Sequence, residues 1–108
     1  MIRKVALISD PKYVNPEDID VYGSTSDTIL FGASSDSSYC VHISNAGNYF
    51  QDIAQGSDLL FFIPPRGLAE TPPIKPNLDE AISYNVYKVD STGGAMPSDA
   101  PPRIIIHR

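Results

Sequence analysis

Glycine and proline interrupt this chain at short intervals, with seven glycines and ten prolines in 108 residues. No stretch carries a helical hydrophobic period for three turns. Punctuation this dense suits many short strands joined by turns better than long helices. Its densest part is 64–76, with five prolines in thirteen residues. Proline lacks the N–H that an interior strand needs and breaks a helix. The segment is therefore predicted as a long loop, in part polyproline II.

Between the interruptions, apolar residues fall into short runs. Val5–Ile8 ends at Ser9-Asp10-Pro11. Ile19–Tyr22 follows the turn residues Asn15–Asp18 and begins with apolar-polar alternation. Thr28–Phe31 is β-branched and apolar. In Tyr39–Ile43, Tyr39, Val41 and Ile43 share one face, and Cys40 and His42 share the other. Leu59–Ile63 is apolar throughout, which predicts burial on both faces. Ile82–Val89 is the strongest strand, with Ile82, Tyr84 and Val86 on one face. Arg103–Ile106 is a terminal strand. Residues 48–54 fit either one helical turn or an irregular connection, and 78–81 a short turn. Gly32–Ser38, Pro64–Pro76 and Asp90–Pro102 read as long loops.

Apolar residues make up 42% of the chain, enough for a packed core, and a second core would not fit in this length. The expectation is one all-β domain over 1–108, an antiparallel or mixed β-sandwich of about seven strands.

Four features resemble cupredoxin-like or immunoglobulin-like sandwiches. They are Asn15-Pro16 leading into Ile19-x-Val21, the Thr28–Phe31 strand, Tyr39-x-Val41-x-Ile43, and a close with Tyr84-x-Val86-Tyr87 and Pro102-x-Ile104-Ile105-Ile106. The resemblance spans most of the chain and speaks to fold more than to function. Cupredoxin copper sites use two His, one Cys and a weak axial Met. Cys40, His42, His107 and Met96 supply similar letters in a different order. The family gathers Cys, His and Met in a loop before the last strand, whereas Cys40 and His42 stand mid-chain and the last strand holds only His107. The resemblance therefore implies no copper site, and no cofactor is expected. A small apolar Cys40 and a surface His42 are the commoner reading.

The formal net charge is -5, and no basic stripe of the kind nucleic-acid binders carry is present. The acids are scattered, and they read as solubility. One cysteine excludes a disulfide within the chain and fits a reducing compartment. The short apolar run near the N-terminus is no signal peptide, and no segment approaches the ~20 apolar residues of a membrane span. The expected location is cytoplasmic, with no membrane or nucleic-acid partner.

Catalytic signatures are thin. There is no G-x-S-x-G elbow, no G-x-x-x-x-G-K and no G-x-G-x-x-G, and Gly93-Gly94 precedes no helix. Cys40 with His42 at i+2 does not set the imidazole on the sulfur. Glu17-Asp18 and Asp79-Glu80 are neighbours, and neighbours on a strand face opposite ways. Asp10, Asp18 and Asp20 lack the spacing of a calcium loop.

Elimination therefore favours a non-enzymatic protein-interaction or self-assembly module, binding another protein or its own kind through sandwich-end loops or an edge strand. A copper redox protein and a small hydrolase are the alternatives. The interaction candidates are Tyr49 and Phe50, as an exposed aromatic pair; Pro72, Pro73 and Pro76, as a polyproline ligand; and Ile104 and Ile106. The last two lie on a strand that must pair internally or with another subunit to avoid an open apolar edge.

Overall fold

Alternation builds most of the strands, while Thr28–Ala33 is buried along almost its whole length. In the computed structural model, which describes residues 1–9, 13–89 and 101–108, β1 (Arg3–Ser9) buries Ala6 and Ile8 and turns Val5 and Leu7 outward. It is followed by β2 (Tyr13–Asn15), β3 (Asp18–Tyr22), β4 (Thr28–Ala33), β5 (Ser38–Ile43), β6 (Leu59–Ile63), β7 (Leu68–Glu70), β8 (Glu80–Ser83), β9 (Asn85–Val89) and β10 (Arg103–His107). Among the described residues only two short 3-10 turns, Gly23–Thr25 and Ala46–Asn48, are helical. No helix among them is long and apolar enough to cross a membrane.

The strands form three sheets. Sheet A runs β2-β1-β4-β7, sheet B β3-β10-β8 and sheet C β6-β5-β9. Sheets A and B are mixed, because β1 lies parallel to β4 and β3 parallel to β10. Sheet C is antiparallel throughout. Two connections carry the chain between sheets within a residue or two. Pro16 and Glu17, after a cis Asn15–Pro16 bond, separate β2 from β3. Tyr84 alone separates β8 from β9, and its N–H donates to the Pro102 carbonyl. The three inner faces share one core, in which the Phe31 ring of sheet A meets Phe61 of sheet C at 5.7 Å and Tyr84 at 5.6 Å. This is an all-β, sandwich-like fold.

All seven sequence-predicted strands are present, and the count rises to ten for three local reasons. The 82–89 strand is cut at Tyr84 into β8 and β9. Two three-residue strands, β2 and β7, are held by distant partners: Leu7 opposes Asn15, and Gly32 opposes Leu68. The proline segment is accordingly no continuous loop, although β7 sits at a sheet edge, where flanking prolines are tolerated.

Burial on both faces does not hold for Leu59–Ile63. Leu59 and Phe61 are half-buried and Ile63 is fully buried, but Leu60 and Phe62 are 65% and 54% exposed. The strand alternates after all, with apolar side chains on its solvent side as well. Residues 48–54 open with the last residue of the Ala46–Asn48 3-10 turn, onto whose Ala46 carbonyl the Tyr49 and Phe50 N–H groups donate, and are otherwise irregular apart from the bridge that Phe50 makes with Ile74. Most of the predicted 90–102 loop lies outside the described residues.

Candidate interaction surface

The outer face of sheet C is set by the register of β5. Cys40 stands opposite Phe62 on one side and Tyr87 on the other. His42 stands between Leu60 and Asn85, and Ser38 beside Val89. Directly paired residues share a face, so these eight side chains form one surface. It contains no Lys, Arg, Asp or Glu. Its polar rim is at the β5–β6 end. There His42 Nε2 lies 2.8 Å from Asp58 Oδ2, and the Asn45 N–H donates to Asp58 Oδ1 at 2.9 Å. The Asn45 amide first, and His42 second, hold the Asp58 carboxyl below its ordinary value.

The other two outer faces differ in charge. On sheet A, the exposed Val5, Leu7 and Leu68 surround an ion pair in which Arg3 Nε donates to Glu70 Oε2 at 2.6 Å. Thr28 Oγ1 donates to the same Glu70 oxygen at 2.7 Å. On sheet B, Arg103 forks onto Asp18, with Nε to Oδ1 at 3.1 Å and Nη2 to Oδ2 at 2.7 Å. Beside it, His107 Nε2 lies 2.9 Å from Asp20 Oδ1. The His107 ring stacks on Tyr22 at 4.7 Å, and Lys4 Nζ sits 5.6 Å from the Tyr22 ring centroid. Charge thus crosses the outer faces of sheets A and B, and on sheet C it is confined to the Asp58 rim beside His42.

The sequence-nominated residues are scattered by the fold. Phe50 is fully buried, so the exposed aromatic pair is not there, and Tyr49 is half-buried against the core. Pro72 and Pro73 are half-buried and Pro76 is exposed. Their segment is no free polyproline ligand, because its backbone is already in use. The Pro73 carbonyl accepts from Gln51 N–H, Ile74 N–H donates to Asp27 and Lys75 N–H donates to Tyr49. Ile104 and Ile106 point into the core, and β10 is the central strand of sheet B. It presents no open edge, so that ground for expecting a second subunit falls away.

The metal candidates also lie apart. Cys40 and His42 share the face of sheet C as expected, but His42 is engaged by Asp58. His107 is on sheet B with Asp20, and Met96 lies outside the described residues. No group of three or more His, Cys, Asp or Glu is gathered for a metal among the described residues. In the aspartate set, Asp18 and Asp20 are taken by Arg103 and His107, and Asp10 lies outside the described residues.

Leu60, Phe62, Tyr87 and Val89 were missed as surface residues. The signal was an apolar run whose two faces cannot be told apart by composition, beside a strand bearing Cys40 and His42 on one side. Set against protein-family models and against curated protein sequences, the chain matches none.

Proposed function

We propose that this chain is a non-enzymatic protein-interaction or self-assembly module, and that it meets its partner through the outer face of sheet C rather than through loops or an edge strand. The observation that carries the reading is the pair Leu60 and Phe62, more than half exposed on a face without a formal acid or base other than His42 and the Asp58 at its rim. Large apolar side chains grouped on a surface and rimmed by polar groups mark contact sites. Covering apolar area releases about 25 cal/mol per Å², so two such side chains can anchor a contact.

Within the sandwich-like folds, the cupredoxin-like form is the better reading. The parallel pairs β1–β4 and β3–β10 depart from the two antiparallel sheets of the immunoglobulin type. The copper and hydrolase readings gain no comparable support, since Cys40 and His42 lie on sheet C and His107 on sheet B, and no group of three or more His, Cys, Asp or Glu is gathered for a metal among the described residues.

The test substitutes Phe62→Asp and compares it with wild type for association, using circular dichroism to check that the β signal is retained. Loss of every association of the wild-type chain, with the fold intact, is expected. Unchanged association in the folded variant rules the face out.

A further inference from the structure

We propose that a second copy of this chain covers the sheet C face, the two copies packing face to face about a two-fold axis along β5. This rests on the interaction reading above and names its partner.

Charge is the first argument for a copy. A two-fold contact sets a patch against itself, so a charged patch would meet its like. The chain has 13 acidic against 8 basic residues, yet none of them falls at the eight positions of this face. The face therefore carries charge only at its Asp58 rim beside His42, and rotation about β5 sets that rim over the β9 row of the other copy rather than over its own counterpart.

Shape is the second. The β6 row stands out, with Leu60 and Phe62 largely exposed, while on the β9 row Asn85 and Tyr87 are half-buried and only Val89, at its end, is exposed. Rotation about β5 lays the β6 row of each copy over the β9 row of the other. Phe62 then covers Tyr87 twice, an aromatic pairing, and Cys40 meets Cys40 at the axis. Apolar sheet faces stack in this way about 10 Å apart.

Size sets the strength. Three strands spaced about 4.8 Å apart and five residues long cover far less than the roughly 800 Å² per partner of a standard stable complex. The pairing is therefore reversible and concentration-dependent.

Sedimentation of the whole chain from about 10 µM to about 1 mM tests this, since a small contact associates in that range. Wild type is expected to shift from monomer to dimer. Phe62→Asp is expected to weaken the dimer by at least about tenfold, through a buried unpaired charge. Leu68→Asp, on the exposed face of sheet A, should leave it unchanged. In the dimer, a short bis-maleimide should join the single cysteines of two copies, and Phe62→Asp should abolish that product. A wild-type chain monomeric at every concentration overturns the proposal, as does a dimer sensitive to Leu68→Asp and not to Phe62→Asp. If wild type stays monomeric while Phe62→Asp still abolishes binding to a different protein, self-pairing fails and the interaction reading stands. If Phe62→Asp alters no association, both fall.

Discussion

His107 lies nearly flat on Tyr22, with ring centroids 4.7 Å apart and 19° between the planes. The contact ties β10 to β3, where these two residues occupy one register position of a parallel pair. Both rings are partly exposed, so water weakens the attraction. A double-mutant cycle of Tyr22→Ala and His107→Ala should give a coupling of about 0.5 kcal/mol, at the low end for ring pairs. Urea unfolding of the four proteins measures it.

Tyr84 carries the only buried side-chain polar atom without a hydrogen-bond partner among the described residues. An orphaned hydroxyl costs its desolvation and returns nothing. Tyr84→Phe should therefore be neutral or stabilising, by up to about 1 kcal/mol. Burial, and behind it the charge of Asp18, raises the phenol above its ordinary 10.0. The unfolded chain therefore ionises first, and stability is lost as pH rises above about 10. Tyr84→Phe should flatten that alkaline decline, as read by the urea midpoint against pH.

Among the described residues, three carboxylates are held below their ordinary values and so respond to acid. Asp58 is held below its ordinary 3.8 by the Asn45 amide and then His42, and Asp18 is held below the same value chiefly by Arg103. Glu70 is held below its ordinary 4.5 by Arg3 and then Thr28. Each folded value lies below the unfolded one. The stabilisation is therefore present above about pH 4 and is lost as pH falls through the folded values. Asp58→Asn should make the fall of the urea midpoint between about pH 5 and pH 2 shallower than in wild type.

Gly47 is needed for close approach. A Cβ there would press against the Ala54 carbonyl oxygen and the backbone of Gln55, neither of which is a flexible side-chain end. Gly47→Ala should cost about 3 kcal/mol or prevent folding, read as a lowered melting temperature.

Seven strands were legible because period-two alternation is a local property. Tyr39, Val41 and Ile43 face inward whatever lies across from them, and Cys40 and His42 face outward with them as a set. Strands of three residues were not legible. β2 and β7 exist through pairing with β1 and β4, and that pairing is absent from their own letters.

The amino-acid order by itself determined the all-β character, the positions of most turns and the division of β5 into an inner and an outer face, since these follow from alternation and backbone punctuation. Only the tertiary structure decided which apolar residues meet water. Ile104 and Phe50 were drawn inside because β10 became a central strand and Phe50 bridged to Ile74. Leu60 and Phe62 were left outside because, among the described residues, no segment packs on that side of sheet C. Burial depends on which distant segment covers a side chain, and hydrophobicity along the chain carries no record of that.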